Sequence, residues 1–157
     1  MMSRVQKGVI AGLVATVAVS ILEAVNLFAG PWVEPFPLFI AGMLGMPGNL
    51  AVGWIAHFVA GSVVLGSLFG ILCPKMPGQT PETKGIIFAV GAWAVLMVTV
   101  FLFGDPRIFR GSGGFGMVAW MLVSHAVFGI VLGNVYARLV EREKRAAKLM
   151  DGVAPAH

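Results

Sequence analysis

Charged residues are scarce in this chain, and cysteine is nearly absent. Asp, Glu, Lys and Arg make up 11% of the 157 residues, whereas a soluble domain carries about 25%. Apolar residues reach 58%, more than a soluble domain of this size could bury, because small domains keep a large surface-to-volume ratio. Cys73 is the single cysteine, which excludes an internal disulfide and a cysteine-based metal cluster. The composition therefore predicts one all-α domain in a lipid bilayer.

Patterns typical of catalysis and of nucleic-acid binding are also missing. No nucleophile, base and acid stand in a recognisable arrangement, and the glycine-rich stretch 111–114 lacks the Lys-Ser/Thr ending of a phosphate loop. The net charge is +4, but most of the cations flank apolar runs, which indicates membrane topology and not a nucleic-acid surface. We expect no nucleic-acid partner, and the sequence favours a protein that is not an enzyme.

Four apolar runs are long enough to cross a bilayer, which takes about 20 helical residues. They cover residues 8–28, 50–72, 85–104 and 116–137. Lipid offers no hydrogen-bond partner to a free backbone amide, so each run must be helical. The sequence therefore predicts four transmembrane helices in a single domain that covers residues 1–157.

The cations predict the orientation of these helices. Of the 11 Lys and Arg residues, only Arg107 and Arg110 lie between the third and fourth runs, and none lies between the first and second. Cytoplasmic segments carry the excess of Lys and Arg, so both termini are expected in the cytoplasm. Residues 138–157 would form a basic cytoplasmic tail, with 141–150 continuing the fourth helix.

A two-helix unit is expected to occur twice in tandem. The first and third runs open on the same Lys-Gly pair. The second and fourth runs each hold a histidine followed four residues later by glycine, namely His57 with Gly61 and His125 with Gly129. Equivalent helices are two spans apart, so the halves would be related as a parallel repeat.

The connection 30–49 is apolar but too short to span the bilayer. It is expected to lie at the outer interface as a short helix, or to enter the bilayer as a re-entrant segment. Trp32, Trp54 and Trp120 stand near the outer ends of the runs, where an aromatic belt would place them.

The order of several short motifs resembles one known family. The motifs are residues 11–16, 53–58 and 74–78, then Lys84-Gly85, residues 111–115, and finally His125 with Gly129, Gly133 and Tyr136. This order is similar to the DUF6789 family of small bacterial membrane proteins, over about residues 5–138. The resemblance implies the fold and a place in the bacterial cytoplasmic membrane. It implies no activity.

His57 and His125 are the strongest candidates for a site, because an ionisable side chain inside a membrane is costly without a partner or a function. Two imidazoles that face each other across a bundle can ligate one haem iron. The alternatives are a neutral histidine hydrogen-bonded to a neighbouring helix, a copper or zinc ion, or a proton relay. We expect the two side chains to converge at one level of the bundle.

Glu23 and Asn26 form a polar cluster at the outer end of the first run. Glu23 is expected to meet His57 or His125, as a hydrogen-bond partner or as a third metal ligand, or else to reach the headgroup region. Small residues one turn apart bring helices close together. We expect this role for a set of glycines: Gly8, Gly12, Gly61, Gly129 and Gly133.

Three functions remain open from the sequence. A structural or accessory subunit of a larger membrane complex comes first, with lipid and other membrane subunits or further copies as partners. The second is a haem b or metal-binding electron-transfer protein that uses His57 and His125. The third is an oligomeric transporter or channel, although the spans hold few polar residues to line a conducting path.

Overall fold

The structure is a computed structural model that describes residues 1–29, 33–104 and 114–151. Within these ranges the chain contains helices and turns but no strand. The elements are α1 (Arg4–Phe28), α2 (Phe36–Met43), α3 (Leu50–Phe58), a π-helical segment (Val59–Leu65), α4 (Gly66–Leu72), a 3-10 turn (Cys73–Lys75), α5 (Pro81–Phe103) and α6 (Gly114–Asp151).

Four helices are long and apolar enough to cross a membrane: Arg4–Phe28, Leu50–Lys75, Pro81–Phe103 and Gly114–Met150. We call them the first to fourth spans. The second span is one continuous helix made of α3, the π-helical segment, α4 and the 3-10 turn. The four predicted helices are therefore present, and α6 runs on through the charged tail as the sequence predicted.

Capping side chains fix where the helices begin. Ser3 accepts a hydrogen bond from the Gln6 amide at 3.1 Å, and the Gln6 side chain accepts one from the Ser3 amide at 2.8 Å, which closes a capping box at α1. Asn49 caps α3, where its side-chain oxygen accepts a hydrogen bond from the Val52 amide. Thr80 caps α5, and Pro81 follows at the first helical position, where its missing N–H costs nothing.

The spans pack in the order second, first, fourth and third, because α1 contacts both the second span and α6, and α6 contacts α5. Glycines allow these pairs to approach closely. A Cβ atom on Gly8 would collide with the backbone of Gly66, and one on Gly85 would collide with the backbone of Gly129. All five predicted packing glycines face another helix: Gly8 and Gly12 face the second span, Gly61 faces α1, and Gly129 and Gly133 face α5.

The start of α1 and the charged extension of α6 lie at the same end of the bundle, which we call the terminal end. Lys7 on α1 forms an ion pair with Glu143 on α6 at 2.5 Å. The backbone amide of Met2 donates to the other oxygen of Glu143, also at 2.5 Å. The charged extension of α6 is thus attached to the start of α1.

Two apolar cores hold the bundle together. The core at the terminal end brings the second span against the third and fourth, with Phe69 stacked edge-on against Phe88 at 5.3 Å and against Tyr136 at 5.4 Å. The core at the opposite end, which we call the α2 end, is made of Phe39, Val100, Met117 and Met121.

The connection 30–49 contains a short helix, which was one of the two expectations for it. Phe39 of this helix, α2, is only 4% exposed and packs against residues of α5 and α6. α2 therefore inserts among the ends of the spans and does not lie flat on the bundle. Gly45 and Gly48 take positive φ values of 73° and 81° in the turn that follows, a conformation that glycine adopts without steric cost. Trp32, the connection 105–113 and residues 152–157 lie outside the described residues.

Candidate functional site

A cavity of about 410 Å³ lies at the α2 end of the bundle. All four spans and α2 contribute to its wall, which is mainly apolar. The polar side chains along it are Thr16, Glu23, His57, Ser124 and His125. Both predicted histidines and Glu23 therefore share one cavity, whereas Asn26 is not among the lining residues.

The hydrogen bonds of His57 determine which nitrogen of its neutral ring carries the proton. Nε2 lies 3.2 Å from the hydroxyl oxygen of Ser20, and that hydroxyl donates its only hydrogen to the carbonyl of Thr16 at 2.7 Å. A neutral His57 must therefore carry its proton on Nε2 and donate it to Ser20. Nδ1 is left as an acceptor, without a hydrogen bond in the part of the chain that the structure describes.

His125 uses the opposite nitrogen. Its Nδ1 lies 2.7 Å from the carbonyl oxygen of Met121, one turn earlier on α6. A carbonyl can only accept, so Nδ1 carries the proton and Nε2 of the neutral ring is the acceptor. Within residues 1–29, 33–104 and 114–151, no hydrogen bond to this Nε2 is present. Each imidazole thus offers one lone pair.

Phe36 of α2 packs against both imidazoles. Its ring centre lies 5.6 Å from that of His57 and 6.4 Å from that of His125, edge-on in each case. In a bis-imidazole haem the iron lies between the two rings and the porphyrin extends outward from it on every side. A ring that contacts both imidazoles occupies part of that space, so this arrangement does not favour haem. Among the described residues, no group of three or more His, Cys, Asp and Glu is placed to hold a metal ion.

Glu23 has partners other than the expected histidines. Its side chain is buried, at 1% exposure, and one oxygen accepts from Trp120 Nε1 at 2.8 Å. The other accepts from the backbone amide of Phe36 at 3.2 Å. Asn26 is fully buried as well and donates to the carbonyl of Val33 at 3.2 Å. The polar cluster therefore fixes the start of α2 to α1 and α6.

Ser124 is a site residue that the sequence analysis missed. It lines the cavity beside His125 and is 7% exposed, yet its hydroxyl has no hydrogen-bond partner among the described residues. A buried hydroxyl without a partner costs free energy, and most are satisfied in native proteins. A lone serine in an apolar helix was the only sequence signal for it.

Part of the cavity wall is exposed on the outside of the bundle, where the second and third spans flank the cavity. Ala60 and Val64 line it from the second span and are also exposed on the outside. Ala92 and Leu96 line it from α5, on the other side of the gap. Met43 and Leu44, at the end of α2, are exposed cavity residues as well. Toward the terminal end the second and third spans meet at Phe69 and Phe88.

Residues 2–147 match the model of one family, described as a family of unknown function (DUF6789). The chain belongs to the DUF6789 family. This confirms the resemblance seen in the sequence, and the matched region includes the first three spans, most of the fourth span and both histidines. No curated protein and no solved structure matches the chain.

The second span of the DUF6789 chain is not a regular α-helix beside the cavity. The π-helical segment starts two residues after His57, and several of its residues line the cavity wall. Gly61 in this segment faces Thr16, whose hydroxyl occupies the place of a Cβ atom. Ser62 turns its hydroxyl back to the carbonyl of Phe58. Such π-helical turns inside α-helices are frequent at functional sites.

Proposed function

We propose that this DUF6789 protein binds a lipophilic small molecule in the cavity at the α2 end. One observation carries the proposal: a cavity of about 410 Å³ has an apolar wall that is interrupted by a few convergent polar side chains. Binding sites for small molecules have this composition and a volume of roughly 300–1,000 Å³. The hydroxyl of Ser124, buried without a partner among the described residues, further supports a ligand that supplies one.

The exposed cavity residues of the second span support entry from the bilayer. A ligand that passes between Val64 and Leu96 would come from the side of the bundle, where apolar side chains of the spans are exposed. A lipid-soluble molecule is concentrated in that surrounding phase, so it could enter without crossing water. The proposal therefore concerns a membrane-embedded binding protein and involves no catalytic step.

We further propose that both termini are cytoplasmic in the bacterial inner membrane and that the chain is a tandem repeat. The cation distribution supports the orientation, and the Lys7–Glu143 ion pair agrees with an even number of spans. The glycine contacts support the repeat, since Gly8 meets Gly66 as Gly85 meets Gly129. That pairing would align Gly66 with Gly129, whereas the alignment based on the histidines is shifted by five residues.

The binding proposal is tested by filling the cavity. Ala92 lines the cavity from α5, whereas Ala94 is exposed on the same helix and does not line it. Parent, Ala92→Phe and Ala94→Phe proteins are purified in mild detergent, extracted with solvent and analysed by mass spectrometry. We expect one lipophilic species to be retained by the parent and by Ala94→Phe and to be depleted in Ala92→Phe. Equal retention in all three proteins would reject the cavity as the binding site.

A second candidate is lateral association, as an accessory subunit or with a further copy of the chain. The third span lies at an edge of the bundle, and only 17% of its most apolar stretch is buried, against 33–39% in the other spans. In a Cys73→Ser background, cross-linking in native membranes from Val98→Cys on this span is compared with Val17→Cys on α1, both exposed sites. Association along α5 predicts a product from position 98 alone. Equal yields from both positions would count against it.

A further inference from the structure

We infer that the ligand of this cavity carries hydrogen-bond donors on its polar head, as a hydroxyl or a protonated amine does. The inference rests on the proposed function and narrows it to a chemical class. Most hydrogen-bond donors of the cavity are engaged within the protein, whereas several acceptors are not.

Nearly all hydrogen-bond donors along the cavity wall already donate to other groups of the protein. The hydroxyl of Thr16 donates to the carbonyl of Gly12 at 2.7 Å. The N–H groups of His57 and His125 are directed to Ser20 and to the Met121 carbonyl. The hydroxyl of Ser124 is the remaining side-chain donor along the wall in the described part of the chain. A head group that can only accept hydrogen bonds, such as an ether, would therefore have the Ser124 hydroxyl as its one donor.

Acceptors, in contrast, are left over. Nδ1 of His57 and Nε2 of His125 each hold a lone pair without a hydrogen bond in the described chain. The carboxylate of Glu23 receives one donor on each oxygen, although an ionised carboxylate has about four acceptor positions. A head group with donors therefore finds acceptors on three sides of the cavity, contributed by the first, second and fourth spans.

The charge of Glu23 distinguishes two kinds of donor. Both of its oxygens accept hydrogen bonds, as expected of an ionised group. Within residues 1–29, 33–104 and 114–151 no cation is paired with it, and the ion pair of Lys7 involves Glu143 at the terminal end. A buried carboxylate is costly without a counter-charge. A protonated amine would supply both the donors and the charge, whereas a hydroxyl would supply the donors alone.

The test compares three probes with one apolar tail and different heads: dodecanol, dodecylamine and dodecyl methyl ether. A ligand that binds the folded state raises the unfolding temperature, and the stabilisation grows with the logarithm of the ligand concentration divided by Kd. Each probe is titrated against the detergent-purified parent and against Ala92→Phe, whose response reports the effect of the probe on the micelle. We expect at least one donor probe to bind the parent roughly tenfold more tightly than the ether, as one good hydrogen bond would give. If dodecylamine ranks first, the charge of Glu23 is recognised as well.

The outcomes separate this inference from the proposed function. If all three probes shift the parent more than Ala92→Phe but to the same extent, the cavity binds lipophilic molecules and the donor inference is overturned. If no probe acts on the parent more than on Ala92→Phe, both fall. His125→Leu gives an independent check, because it removes one free acceptor. The preference for dodecanol over the ether should shrink severalfold in that variant, and an unchanged preference would contradict the assignment of His125.

Discussion

Trp120 donates its indole N–H to Glu23 across 2.8 Å and so connects the fourth span to the first. Neither residue is near the other in sequence. The same carboxylate also receives the amide of Phe36, which positions the ring that packs against both histidines. One buried acid thereby links α1, α6 and the start of α2, and the shape of the cavity depends on it.

Removing the indole donor should therefore destabilise the protein. Trp120→Phe leaves the buried Glu23 with one donor fewer, at a cost of about 1–3 kcal/mol. The matched control is Trp93→Phe, because Nε1 of Trp93 is buried without a hydrogen-bond partner among the described residues. Unfolding in detergent is followed by circular dichroism. Equal losses in the two variants would mean that ring volume, and not the bond to Glu23, explains the effect.

A methyl group at the closest helix contact should also be disruptive. In Gly85→Ala, the new Cβ would collide with the backbone of Gly129, which cannot move aside as a flexible side chain could. Gly91 lies on the same helix with nothing within 4 Å of a Cβ. Gly91→Ala should stabilise slightly, since alanine favours a helix by about 0.5–1 kcal/mol over glycine. A lower unfolding temperature for Gly85→Ala and a slightly higher one for Gly91→Ala, each relative to the parent, would support this packing. Shifts of the same sign and size in the two variants would argue against it.

The tail helix should loosen when its attachment to α1 is removed. Glu143 binds the ammonium of Lys7 and the amide of Met2, whereas Glu141 is exposed nearby. We expect faster amide hydrogen exchange over 141–150 in Glu143→Ala, and little change in Glu141→Ala. Raising the salt concentration should accelerate exchange in the parent toward the Glu143→Ala value, because salt screens an ion pair near the surface.

The orientation can be tested with reporter fusions. A fusion after Met76 should report the cytoplasm, and one after position 111 should report the outside, because the two connections lie on opposite sides of an intervening span. A fusion at the C-terminus should match the one after Met76. The inverse pattern would show that the cation excess does not determine the topology of this chain.

The sequence was sufficient for the spans but not for the details of the cavity. Apolar runs of about 20 residues have one low-energy solution in lipid, so the four helices could be predicted from hydropathy alone. The convergence of His57 and His125 also followed from the cost of leaving an imidazole in lipid. Periodicity could not predict that α2 inserts among the spans, because a short apolar segment suits an interface equally well.

Side-chain partners within the membrane were harder to predict. Glu23 was expected to meet a histidine or to reach the headgroup region, but an indole N–H and a backbone amide donate hydrogen bonds to it instead. Any donor within reach stabilises a buried carboxylate, so its identity depends on helix rotation, which a largely apolar sequence specifies weakly. The same holds for Ser124, whose importance comes from the bond that it does not make with any described residue.

The π-helical segment separates two rotational requirements on one helix. Gly66 must face Gly8 on one side of it, and His57 must face Ser20 on the other. Each residue turns an α-helix by about 100°, so a regular helix would fix one of these directions once the other is set. A π turn holds more residues than an α turn and so offsets the two halves. Val59–Leu65 therefore holds about one residue more than an α-helical segment of the same rotation. Deleting a single residue there should restore a regular α-helix in which His57 still faces Ser20 and Gly66 still faces Gly8.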